Sequence, residues 1–237
     1  MDAAALRARL AAVRDRIARS AGRAGRDPSS VRLVAISKTF GSDAIRAAAE
    51  AGQVDFGENK LQEALLKMES TPDLSIRWHL VGHLQSNKAK KAAARFDVIH
   101  SLDSVELGQR IELAAAAGGR RIDLLVQIDL AGEPTKHGAR ENELADIFDA
   151  ARLWHGARVV GLMLLPPAVD DPEQARPYFR ALHAVRQRLL ERGVDRSMLA
   201  ELSMGMSHDL DVAVEEGATL VRVGTAIFGR RAGASED

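Results

Sequence analysis

Apolar positions along this chain follow two spacings. Near the N-terminus Leu6, Leu10, Val13 and Ile17 recur at helical intervals and make one stripe, with arginines between them. From there to the end, short β-rich runs alternate with helical stretches. The strand candidates are 31–37, 53–56, 76–81, 97–101, 122–129, 158–165, 199–203 and 219–223. Several are continuously apolar, as in VRLVAIS and VVGLMLL, which suits strands of a parallel sheet covered by helices on both faces. Between them Leu144, Ile147, Phe148 and Ala151 share one helical face, and so do Tyr178, Leu182, Val185 and Leu189. Ser42, Ser104 and Ser207 are placed to cap helix N-termini, while Gly52, Gly118, Gly193 and Gly217 follow helical runs. The stretch 172–177, bounded by two prolines, leaves the start of its helix open. Eight strands alternate with helices, and no Pro/Gly/Ser-rich linker divides them. The pattern predicts an α/β fold, a single (β/α)₈ TIM barrel over 1–237, with an extra N-terminal helix over 1–30 packing on it.

Composition narrows the class. At 237 residues, with 46% hydrophobic and 28% charged residues, the chain fits one barrel of roughly 250 residues. The formal net charge is zero, so nothing global draws it to a nucleic acid or an anionic membrane. There are no cysteines, which excludes disulfides and thiolate zinc sites and argues against a secreted, disulfide-stapled domain. No apolar run approaches the ~20 residues of a membrane span. The Arg-rich N-terminus lacks the uninterrupted apolar stretch of a signal peptide and reads as a folded helix whose arginines form a solvated face. A cytoplasmic protein is expected.

Barrel chemistry gathers at the C-terminal strand ends, and the unusual residues of this chain fall there. The first strand ends in Lys38. Only seven of the 33 basic residues are lysines, so a lysine ending the apolar VRLVAIS run stands out. A semi-buried amine loses its proton more readily and can attack an aldehyde to form an imine. A strand-end lysine that reaches solvent or pairs with an acid is the competing reading. The loops after the seventh and eighth strands form the usual phosphate site of a barrel. There Ser203 offers a hydroxyl, Gly205 permits close backbone approach, and Gly224 and Thr225 offer amides and a second hydroxyl. Tight turns with Ser207 as a helix cap would explain the first of these loops equally well. Arg222, between Val221 and Val223, points into the barrel mouth and needs an acceptor, either a structural carboxylate or a ligand's ring nitrogen. His79 and His83 read as core or capping residues, Asp103 and Glu106 as a helix start, and Asp209 and Asp211 as first-turn acids. Met204 and Met206 read as packing. Lys136, in the Thr-Lys-His-Gly loop after the fifth strand, reads as a plain surface lysine, with a secondary ligand site as the alternative.

AISKTF, DFGENK, WHLVGHLQSNK, GLMLLPP, ELSMGMSHDL and VRVGTAIFG occur in this order. Together they resemble the pyridoxal 5′-phosphate (PLP) homeostasis proteins, the YggS or PROSC family, over nearly the whole chain. The resemblance implies a monomeric fold type III barrel similar to the N-terminal domain of alanine racemase, with PLP held as a Schiff base on Lys38. It implies that Ser203, Gly224 and Thr225 hold the phosphate, that Arg222 faces the pyridine nitrogen and that Asn59 lies near the cofactor. Lys60 and Asp129 depart from the commoner pattern, where a tyrosine and an asparagine stand, and no role is carried over to either.

An arginine against the pyridine nitrogen does not hand over its proton, so that nitrogen stays unprotonated and the cofactor is a weak electron sink. Racemases of this fold also use a second acid/base from a β-domain, and the one tyrosine here, Tyr178, falls on an outer helix. The expectation is a PLP carrier or buffer without robust turnover, with PLP, apo PLP enzymes or free amino acids as partners. No nucleic-acid or membrane partner is expected. The alternatives are a PLP-dependent amino-acid racemase or lyase, and a cofactor-free Schiff-base aldolase.

Overall fold

A computed structural model describes residues 2–132 and 137–229. The eight strands are β1 (Arg32–Ile36), β2 (Asp55–Glu58), β3 (Arg77–Leu80), β4 (Val98–Leu102), β5 (Ile122–Ile128), β6 (Ala157–Leu164), β7 (Glu201–Ser203) and β8 (Leu220–Val223). They pair in parallel in chain order, and β8 closes on β1 through Arg32–Leu220 to Ala35–Val223. This is the (β/α)₈ barrel that the alternating pattern predicts. The helices are α1 (Ala3–Arg23), α2 (Ser42–Glu50), α3 (Leu61–Ser70), α4 (Ala89–Ala93), α5 (Val105–Ala117), α6 (Leu144–Ala151), α7 (Arg176–Glu191), α8 (Leu210–Glu215) and α9 (Thr225–Phe228).

The strand starts are displaced where side chains intervene. β2 begins at Asp55, two residues later than the sequence pattern suggests, because the Gln53 amide donates to Leu33 O and Asp55 O and ends the preceding loop. Ser104 caps α5, accepting from Leu107 N. Ser42 does not cap α2; Gly41 stands at that position without a side-chain bond. The open helix start resolves as a 3₁₀ turn, Pro172–Ala175, capped by Asp171 and running into α7. On α7 Phe179 is buried, not Tyr178, which is half-buried.

Two apolar layers result. The larger lies between barrel and helices and includes the stripe of α1: Leu6, Leu10, Val13 and Ile17. The arginines of α1 are not merely a solvated face. Arg16 pairs with Asp211 at 2.6 Å, Arg23 with Glu215 at 2.7 Å, and Arg14 donates to Ala51 O and Gly52 O, which ties the helix to α8 and to the end of α2. The smaller layer fills the barrel interior with Val34, Ile36, Val81, Val98, Leu125, Met163 and Leu220. Side chains two apart on a strand share a face. His79 therefore joins Val81 inside the barrel, His100 joins Val98, Gln127 joins Leu125, and Arg222 joins Leu220. The interior is apolar in one part and polar in another, and the polar part leads to the mouth. Among the described residues no helix is long and apolar enough to cross a membrane, and no three His, Cys, Asp or Glu side chains are arranged to hold a metal ion.

Candidate functional site

A cavity of about 470 Å³ opens at the C-terminal ends of the strands, within the size range of small-ligand sites. Its wall brings together Lys38, Asn59, Arg222, Gly224 and Thr225, which the sequence had singled out separately, and adds Ser207. Arg222 projects from β8 itself and the others from the segments that follow strands, so the barrel fixes the points from which they project.

Lys38 follows β1 and is exposed on this wall. The premise of a semi-buried amine is thus corrected. Among the described residues its Nζ makes no hydrogen bond or ion pair, so it is free to react. The backbone beside it is strongly held. Thr39 has φ +68°, the only non-glycine residue among those described with positive φ, a conformation that costs about 1 kcal/mol or more in a β-branched residue. Glu63 accepts from Thr39 N at 2.5 Å, and Lys67 donates to Ser37 O at 2.7 Å. Lys67 also pairs with Glu58 at 2.6 Å and Glu63 at 2.7 Å, and Ser37 Oγ donates to Glu58 at 2.6 Å. Burial pushes the Glu58 carboxyl above its ordinary value against the opposing pull of Lys67 and Ser37. This cluster, outside the barrel wall and under α3, clamps the turn that presents Lys38.

Arg222 is 3% exposed at the cavity floor. Its Nη1 donates to Ser203 Oγ at 2.5 Å and its Nη2 to Leu164 O at 2.8 Å. Those bonds use two of the five N–H donors of a guanidinium. Burial lowers its pKa to about 10, with Asp209 acting in the opposite direction, and it remains protonated at neutral pH. Ser203 does not reach the cavity wall. It is fully buried beneath Arg222, its hydroxyl shared by Arg222 and His100. Gly205 is also off the wall. With φ +91°, and with Ala213 Cβ only 2.5 Å from where a Cβ would stand, it permits the turn whose carbonyl accepts from Arg222 N at 2.9 Å. The hydroxyl that does reach the cavity is Ser207. Its Oγ accepts from Gly224 N and Ala226 N, each at 3.3 Å, and so marks where the amides at the start of α9 converge. Ser207 is thus not a cap of α8, whose N-cap is Asp209.

Asn59 is exposed on the wall, and Gly82 packs so closely against its carbonyl that any side chain there would collide with Asn59 O. At the rim the rings of His83 and His137 stack with centroids 3.6 Å apart. Burial, and then His137, lowers the His83 pKa, with Asp103 acting in the opposite direction. Gln127 donates to His137 O and joins the wall from β5. Lys60 is the exposed N-cap of α3, and Asp129 caps its own loop, accepting from Ala131 N and Gly132 N. Lys136 lies outside the described residues. Sequence reasoning missed Ser207, Gln127 and the Lys67 clamp. Lys67 had a usable signal: it sits on the face of α3 shared by Leu61, Ala64 and Met68, where a lysine must be paired.

The donor set fits a phosphorylated aldehyde with a ring nitrogen. It holds a free primary amine, a buried guanidinium and a corner of backbone amides with hydroxyls. Known proteins agree. Residues 8–232 match the family described as alanine racemase, N-terminal domain. The chain is 41% identical over 223 residues to the pyridoxal phosphate homeostasis protein of Aquifex aeolicus, covering 94% of this chain and 97% of that one. It is 42% identical to the protein of the same name from Pseudomonas aeruginosa, covering 94% of each. Its fold is similar to that of PipY of Synechococcus elongatus in a structure with PLP bound, with a TM-score of 0.84, 37% identity, and coverage of 94% of this chain and all of that one.

Proposed function

The chain belongs to the pyridoxal phosphate homeostasis protein family, and from that premise we propose that it holds PLP on Lys38 and acts as a carrier or buffer of the cofactor. One observation carries the assignment: the unpartnered amine of Lys38, the buried Arg222 and the amide corner at Ser207, Gly224 and Thr225 share one cavity wall. When bound, PLP supplies an aldehyde carbon open to primary amines and a ring whose electron-withdrawing power depends on its nitrogen. Lys38 would hold the aldehyde carbon, and its exposure leaves room for an incoming amine. The amides of Gly224 and Thr225, with the Thr225 and Ser207 hydroxyls, would bind the phosphate. Gly205 and Ser203 would act one step behind, on Arg222. Asn59 would line the cofactor's side.

Arg222 decides the chemistry. Still protonated at neutral pH, it would donate to the ring nitrogen and not surrender a proton there. That disfavours carbanion chemistry and leaves exchange between amines. Tyr178 is not on the wall, so it does not supply an acid/base across from Lys38. A carrier would pass PLP to apo-enzymes or to free amino acids, as a cytoplasmic monomer. Titration of the purified protein with PLP tests the reading. A visible absorption band should saturate at one equivalent, be absent in Lys38→Ala, and fade as an apo PLP enzyme gains activity. Racemisation of alanine should stay at background; turnover near an ordinary ~10 s⁻¹ would make the protein a racemase instead. A protein that takes up no PLP would bring forward the cofactor-free aldolase.

A further inference from the structure

Behind the cofactor wall, an unbroken line of polar side chains crosses the barrel. Arg222 donates to Ser203 Oγ at 2.5 Å, Ser203 Oγ lies 2.9 Å from His100 Nδ1, and His100 Nε2 lies 2.9 Å from His79 Nδ1. His79 Nε2 then lies 2.8 Å from Asp55 Oδ1. Ser203, His100 and His79 are fully buried. Asp55 begins β2 and lines a second cavity of about 430 Å³, which Arg14, Pro28, Arg32 and Gln53 help to form. Asp55 and the cofactor wall are separated by the length of β2, on the order of 13 Å for four residues of strand.

The two ends fix every role between them. A guanidinium only donates and a carboxylate only accepts. Burial pushes the Asp55 carboxyl up, but the bond from His79 and the surrounding positive charge outweigh it and keep Asp55 ionised. His79 must then carry its proton on Nε2, which leaves Nδ1 to accept. His100 must donate from Nε2, which leaves its Nδ1 to accept from the Ser203 hydroxyl. Ser203 in turn accepts from Arg222. All four bonds run one way, from Arg222 to Asp55. Reversing any link would set two acceptors or two donors face to face unless a histidine became charged. Burial drives the pKa of both histidines down and holds them neutral.

We propose that Asp55, His79, His100 and Ser203 form a positioning relay that orients the Arg222 guanidinium at the cofactor wall from the far end of the barrel. The relay rests on the PLP reading only for its consequence, since its own geometry is complete without a ligand. Ser203 is thus a positioning residue for Arg222 and not a phosphate ligand. His79, an apparent core residue in the sequence, becomes its middle link.

The test is ¹⁵N NMR of the full chain without ligand, joined to PLP titration. In the wild type both His79 and His100 should show the Nε2–H tautomer, and the Arg222 guanidinium should give slowly exchanging side-chain signals. Asp55→Leu removes the acceptor that sets the direction. It should mix the tautomers, broaden the Arg222 signals and weaken PLP binding about tenfold. Asp55→Asn keeps an acceptor oxygen and should stay within about twofold of the wild type. Ser203→Ala should weaken PLP binding by a similar factor while Asp55 still holds both histidines as Nε2–H. Should Asp55→Leu fail to fold, Ser203→Ala and Asp55→Asn carry the comparison. Nδ1–H tautomers in the wild type, or wild-type PLP affinity and Arg222 signals in folded Asp55→Leu or Ser203→Ala, would overturn the relay. A wild-type protein that takes up no PLP would remove the cofactor reading, and the ligand-free NMR would still decide the relay.

Discussion

Lys38 and Lys67 sit on either side of one turn and face opposite demands. Lys67 is buried, and its Nζ is held by Glu58, Glu63 and the Ser37 carbonyl at 2.6, 2.7 and 2.7 Å. Lys38 is exposed on the cavity wall with no partner among the described residues. By burial alone Lys67 would look like the reactive amine. Its three acceptors saturate its three N–H donors, so no lone pair is offered to an electrophile. Of the two, only the free lysine has an amine open to an electrophile, and rigidity comes from the one that is fully bonded. The clamp grips the backbone on both sides of Lys38, at Ser37 O and, through Glu63, at Thr39 N. The chain has separated the two tasks.

Removing the clamp has the largest expected effect. Lys67→Met leaves Glu58 buried and uncompensated and should destabilise by about 3–5 kcal/mol in chemical denaturation. Adding Glu58→Gln should recover part of the loss, because burial already favours the protonated form of that carboxyl. Equal losses in the single and double variants would break the account of the clamp.

The barrel interior should show itself in pH dependence. The pKa values of His79 and His100 are lowered in the folded state, so below the unfolded value of about 6.5 the unfolded chain binds protons that the folded chain does not. Stability from this source is fully present above that pH. It should be lost at up to about 1.4 kcal/mol per pH unit for each histidine as pH falls from 6.5 toward 5. His100→Asn should flatten that slope; an unchanged slope would mean that the histidines are charged or solvated.

Thr39→Gly should relieve the strained φ of +68° and stabilise by up to about 1 kcal/mol. It should also weaken retention of PLP by loosening the turn. Lys38→Ala should change stability by no more than about 0.5 kcal/mol and abolish covalent retention of PLP. A large stability loss there would mean that Lys38 shares the structural task of Lys67.

Much of this was legible in the sequence because it depends on local pattern. Short β-rich runs, several of them continuously apolar as in VRLVAIS and VVGLMLL, marked all eight strands, and strand ends placed Lys38, Asn59, Arg222, Gly224 and Thr225 on one face. What the pattern could not show was depth. Ser203 ends β7 and Ser207 stands four residues further on, and only the fold puts one beneath Arg222 and the other on the cavity wall. His79 and His100 lie on different strands, so their contact across the interior has no sequence signature. Tyr178 and Phe179 fit helical spacing almost equally well, and the packing of α7 chose Phe179.

Borohydride reduction of the PLP-loaded protein, followed by peptide mass mapping, tests whether Lys38 holds the cofactor. One pyridoxyl adduct should form, on the peptide containing Lys38, and none on Lys67. An adduct confined to other lysines, or no adduct after saturation with PLP, would contradict that attachment.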